Sequence, residues 1–111
     1  DLLVHEALDA RLVAGMNRGA RAAGNPLVEK ITADIPDYHT TPVEAAETAA
    51  AAGVDALLYY HIVPPLPLRL FEAVFLDGVD DVFAGPVVVG RDGTFVSLPA
   101  GSDAIEFSDL L

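Results

Sequence analysis

Apolar and polar positions fall into short blocks along the chain. Leu2-Leu3-Val4-His5-Glu6-Ala7 is an apolar run that closes on polar residues, the pattern of a buried strand whose end presents Glu6. From Asp9 to about Ala23 the chain is rich in Ala, Arg and Leu, which favours helix, with Asp9 suited to the N-cap and Gly24-Asn25-Pro26 to the stop. Pro26 to Ala33 predicts a second short helix, and Asp34-Ile35-Pro36-Asp37-Tyr38-His39 a loop. In Thr41-Pro42-Val43-Glu44, Thr41 can cap, Pro42 suits the first helical position and Glu44 completes a capping box. An Ala-rich helix follows and stops at Gly53, its small side chains suited to close packing on a sheet.

Val54 to His61 predicts a second buried strand centred on Leu57-Leu58-Tyr59-Tyr60 and terminated by Pro64, Pro65 and Pro67. Leu68 to Phe83 has a helical pattern broken at Asp77-Gly78. Val87-Val88-Val89 and Thr94-Phe95-Val96 flank Gly90-Arg91-Asp92-Gly93, which predicts a β-hairpin. The tail from Gly101 to Leu111 holds a short edge strand around Ile105 to Phe107. The order strand–helix–helix–strand–helix–hairpin is that of an α/β layer arrangement, in which helices cover at least one face of a sheet.

Composition adds two constraints. The 111 residues suffice for one small domain, yet 52% are hydrophobic and the mean hydropathy is +0.41. A domain of this size buries a limited fraction of its surface. The apolar excess therefore predicts a partner layer, and the strand already under way at Asp1 suggests a piece of something longer. The formal net charge is −11, from 17 acidic and 6 basic residues. Such a surface repels a polyphosphate backbone, which argues against DNA and against broad nucleic-acid binding. With no Cys, any metal must be held by His, Asp or Glu. No apolar run approaches the ~20 residues of a membrane span. A cytoplasmic location is the expectation, with periplasmic or membrane-tethered ones left open by a start upstream.

Three polar positions are placed for chemistry. Glu6 and His61 end apolar strands, and His39 lies in a loop just before a helix N-terminus. In α/β sheets, sites gather where strand-end loops converge, and a carboxylate beside a His fixes its tautomer and stabilises its charged form. A lone strand-end His is more often a hydrogen-bonded structural residue than a ligand. His5 alternates with Glu6, points to the other face, and reads as packed and hydrogen-bonded. Tyr59 and Tyr60 read as core and support rather than a substrate cage, and Asp77, Asp80 and Asp81 as a solvated helix end.

Taken together, three segments resemble the ribonuclease Z-like branch of the metallo-β-lactamase-fold hydrolases. Asp1-Leu2-Leu3-Val4-His5-Glu6-Ala7 is similar to that family's strand ending in His-Glu-Ala. Tyr38-His39-Thr40-Thr41-Pro42-Val43-Glu44-Ala45-Ala46 is similar to its His-Ser/Thr loop and the Ala-rich helix after it. Ala56-Leu57-Leu58-Tyr59-Tyr60-His61 resembles the strand carrying its last metal-binding His. The segments occur in the family's order, and the resemblance covers roughly residues 1–98.

The resemblance implies that residues 1–111 are the C-terminal part of one metallo-hydrolase domain, half of an αββα sandwich with a mixed sheet and helices on one face. It implies that His61 is a ligand to one of two zinc ions, that His39 protonates the leaving group or stabilises the oxyanion, and that Glu6 orients His39. The family's His-x-His-x-Asp-His cluster and bridging Asp have no counterpart here, and Asp1, which begins a strand, is in the wrong context to replace that Asp. The N-terminal metal-binding half is therefore expected to be absent and this chain inactive alone. Members that process transfer RNA follow the last His with Ser and basic residues, whereas Ile62-Val63-Pro64-Pro65 is apolar. A small phosphodiester, sulfate ester or related ester is expected as substrate rather than RNA. The alternative is a non-catalytic half that self-associates. Either way the expected partner is the missing half or another copy of the chain.

Overall fold

The computed structural model describes residues 1–111 as a mixed α/β fold. Strand β1 (Leu2–Leu8) leads into helix α1 (Ala10–Ala22), α2 (Pro26–Asp34), a 3₁₀ turn (Ile35–Tyr38) and α3 (Pro42–Ala52). Strand β2 (Ala56–Val63), helix α4 (Arg69–Phe75) and strands β3 (Val87–Val89), β4 (Thr94–Ser97) and β5 (Glu106–Asp109) complete the chain. The sheet order is β1-β2-β3, with both pairings parallel, so β2 is central. No helix is long and apolar enough to cross a membrane.

Local chemistry explains the helix boundaries. The Asp9 carboxylate accepts the backbone N–H groups of Arg11 and Leu12 and caps α1. Asn25 caps α2 by accepting Val28 N–H, ahead of Pro26. At α3 the capping box is complete: Glu44 N–H donates to Thr41 Oγ1, and Thr41 N–H donates to Glu44 Oε2 at 2.8 Å. Gly53 ends that helix at φ 67°, a left-handed conformation that favours glycine.

The core forms on one face of the sheet. Leu57 and Tyr59 of β2 and Ala7 of β1 meet Ala45, Ala46 and Ala49 of α3, with Phe75 of α4 and Val79 and Phe83 closing over them. The three alanines have no exposed surface, which is how α3 lies so close to the strands. Tyr59 packs edge-on against Phe75 at a centroid distance of 5.3 Å. Its hydroxyl donates to the Pro42 carbonyl at 2.6 Å and ties β2 to the first turn of α3. Burial raises the Tyr59 pKa, so the phenol stays protonated as a donor.

Two expectations are corrected. The β3–β4 hairpin does not form. Instead β3 joins β2 in parallel, and β4 pairs antiparallel with β5, from Thr94↔Asp109 to Ser97↔Glu106. The Val87–Val89 run lacks alternation, which suits a strand of a parallel sheet better than a hairpin arm. Its flanks bond to β2, Leu57 N–H to Pro86 O at 3.0 Å and Gly90 N–H to Tyr59 O at 2.9 Å. The expected mixed sheet is thus a parallel three-stranded sheet plus a separate antiparallel pair. The tail strand forms at Glu106–Asp109, a little later than expected.

Tyr59→Phe should keep the ring packing and remove the hydroxyl bond to the Pro42 carbonyl. A hydrogen bond of this kind contributes about 0.5–1.5 kcal/mol net. Urea unfolding should show a loss in that range, and an unchanged midpoint would mean the hydroxyl bond is not holding α3.

Candidate catalytic and metal-binding site

The site forms at the C-terminal ends of β1 and β2, where parallel strands release their loops. Pairing runs regularly from Leu2↔Ala56 to Glu6↔Tyr60, then jumps to Ala7↔Ile62. His61 is the extra residue, a β-bulge inside β2 rather than the strand's end as expected. Strict alternation would put His61 on the Tyr59 face, inside the core. The bulge gives that register to Ile62, which packs against the core cluster, and leaves His61 exposed. His61 is the one non-glycine residue at positive φ, 44°, a conformation that costs of order 1 kcal/mol and recurs at functional sites.

Glu6 organises the other half of the site. Its Oε2 accepts His39 Nδ1–H at 2.7 Å, and its Oε1 accepts the backbone N–H of Thr40 at 2.7 Å. The Thr40 carbonyl accepts Leu8 N–H at 2.8 Å, so the loop is pinned to β1 through backbone and side chain together. His39 follows the 3₁₀ turn in extended conformation, φ −121° and ψ 157°, which directs the chain into the Thr41 cap. Burial pushes the Glu6 carboxyl upward, but the His39 and Thr40 hydrogen bonds outweigh it and hold the carboxyl below its ordinary 4.5. Glu6 is therefore ionised at neutral pH. Because the carboxylate only accepts, His39 carries its proton on Nδ1 and presents Nε2 for chemistry.

The imidazoles of His39 and His61 stack, with centroids 5.6 Å apart and planes 13° apart. One ligand-capable atom from each of Glu6, His39 and His61 lies within 4.8 Å of the others, a possible metal-binding group. Two imidazoles and a carboxylate are a chemically sound donor set for zinc. Both Glu6 oxygens and His39 Nδ1 are already engaged in hydrogen bonds, whereas His61 makes none within the chain. The set suits one ion at most and cannot by itself furnish a two-ion centre.

All three residues singled out from sequence thus meet at one place. His5 is separate: its Nδ1–H donates to the Glu6 carbonyl at 2.7 Å, the hydrogen-bonded role expected of it. Asp77 is exposed but pairs with Arg11 Nη1 at 2.8 Å. Sequence reasoning missed the Thr40 N–H, the Tyr59 hydroxyl and the Arg91–Glu72 ion pair, since none falls in a motif. No family model matches the chain, and no curated protein matches it.

Because the Glu6 pKa is lowered in the fold, its contribution to stability is fully present above pH 4.5 and lost as pH falls through the lowered value. Glu6→Gln removes that contribution. Between about pH 5 and pH 3, wild-type stability should fall more steeply than that of the variant, as measured by denaturant midpoints. Parallel slopes would mean the carboxylate gains nothing from His39 and Thr40.

Proposed function

We propose that this chain is one half of a zinc-dependent hydrolase of the metallo-β-lactamase fold, ribonuclease Z-like branch, acting on a small phosphodiester, sulfate ester or related ester. The observation that carries the reading is the Glu6–His39 hydrogen bond with the His61 ring stacked beside it at parallel strand ends. The parallel sheet with helices against one face suits half of an αββα sandwich.

In this reading His61 is the metal ligand, through a neutral imidazole with no competing hydrogen bond. Zinc, when bound, supplies a water of lowered pKa. The chain's own residues handle the proton. His39, protonated on Nε2, donates to the leaving-group oxygen as the ester bond breaks. Glu6 holds Nδ1–H, fixes the ring and stabilises the imidazolium before transfer. The remaining ligands come from outside these residues.

In the protein that carries this chain together with such ligands, His39→Ala should retain zinc and lose about 10²–10⁴-fold in kcat on a chromogenic ester, the range of general acid catalysis. His61→Ala should lose zinc. Residues 1–111 alone should neither bind zinc tightly nor hydrolyse the ester. Hydrolysis by the chain alone that vanishes on His61→Ala would overturn the division of ligands, and zinc loss in His39→Ala would overturn the role of His39.

A second reading, self-association of a non-catalytic half, is favoured by the open sheet face. Val4 and Tyr60, on the face away from the core, are 47% and 55% exposed, and β1 pairs with no strand on its outer edge. The radius of gyration is 15.7 Å, against about 13 Å for a compact domain of this length. Only 17 of 111 residues are buried. Sedimentation of the 111-residue chain should show dimers or larger species, and a soluble monodisperse monomer would count against a covered face.

A further inference from the structure

A cleft of about 600 Å³ adjoins His61, and no residue of β1 lines it. Its apolar wall is Leu58, Ile62, Pro65, Leu66 and Val89, with the half-exposed ring of Tyr60 beside His61. Its polar rim is Glu72, Arg91, Asp92 and Thr94. Three of its backbone positions offer no free donor. Gly90 N–H is spent on Tyr59 O, Arg91 N–H is spent on Thr94 Oγ1, and Pro65 has no N–H.

The charge arrangement decides what the cleft accepts. Arg91 is the only Lys or Arg that lines it, and Arg91 Nη2 is paired with the Glu72 carboxylate. The Glu72 side chain is 20% exposed and that of Arg91 45%. An anionic ligand could use only the Arg91 donors that Glu72 leaves free, and it would do so beside two carboxylates, Glu72 and Asp92, set against one guanidinium. An uncharged group leaves the pair intact and gains apolar contact with the wall.

From this we infer that the cleft beside His61 is a binding site for an uncharged apolar or aromatic substituent of the substrate, and that Glu72 and Asp92, outnumbering Arg91, disfavour anionic ones. The inference rests on the proposed hydrolase reading for the word substrate, and deepens it by naming the group carried next to the reacting ester. The ligand site itself stands on the cleft's own residues.

The test uses binding, so it does not depend on hydrolysis. Amide chemical shifts of the 111-residue protein are followed while adding 4-methylphenol or 4-methylbenzoate, ligands that differ in the carboxylate. The phenol should saturably shift the amides of Tyr60, Ile62, Leu66 and Gly90. The benzoate should bind at least about tenfold more weakly, the effect of one like charge nearby at intermediate dielectric. Glu72→Gln should narrow that gap, because Arg91 is released and one repelling charge is gone. Asp92→Asn, on the exposed rim, should narrow it less. Equal or tighter binding of the benzoate by wild type would overturn the proposal, as would phenol-induced shifts confined to other surfaces. The wild-type pair of titrations decides the matter even if Glu72→Gln fails to fold. Failure here leaves the roles of His39 and His61 standing, while cleft binding without any esterase activity in the ligand-complete protein would sink those roles and spare the cleft.

Discussion

The arrangement of the site depends on one irregularity in one strand pair. β1 and β2 run parallel and in register until Glu6↔Tyr60, after which β2 holds one residue more than β1. Were β2 unbulged, its core face would read Leu57, Tyr59, His61, and an imidazole would be driven toward the alanines of α3. With the extra residue the core receives Ile62, and His61 leaves the ladder at φ 44° toward the imidazole of His39. The bulge thus serves both the packing of the core and the meeting of the two imidazoles. Apolar burial beyond position 61 offsets the conformational cost at 61.

Glu6 plays the matching role on β1. A single carboxylate orders the His39 ring and the Thr40 backbone, while Leu8 N–H holds the same loop through Thr40 O. The loop then enters α3 through the Thr41–Glu44 capping box, and Tyr59 fastens the first turn of that helix to the sheet. Each imidazole is therefore positioned by residues belonging to a different element. The position of His39 comes from two strands and a helix cap acting on four consecutive residues, 39 to 42.

Much of this was legible in the residues themselves. Glu6 and His61 stand out because polar groups at the ends of apolar runs have few reasons to be there, His39 because its loop runs straight into a helix start, and the capping box marks that start without any tertiary information. The bulge was not legible, since alternation is a local pattern and the extra residue is defined only by the partner strand. The same reason explains the failed hairpin. Gly90 to Gly93 has the composition of a turn, but composition cannot say whether Val87–Val89 takes its hydrogen bonds from β4 or from β2, and the long-range choice won. The Arg91–Glu72 pair joins α4 to the segment after β3, a contact no periodicity announces.

Donor arithmetic sets how far this chain can go by itself. Glu6 already accepts two hydrogen bonds, from His39 and Thr40, which fix the loop that brings His39 to the site. His39 has its Nδ1–H on Glu6 and its Nε2 open, and on the proposed reading that nitrogen is kept for proton transfer. On the same reading His61 is left as the side chain of the cluster that ligates the ion. A single imidazole holds an ion weakly, because affinity follows the number of converging donors. On the proposed reading, the metal is therefore brought by residues outside this chain, while the chain contributes a final ligand, an oriented proton donor and the cleft wall next to both.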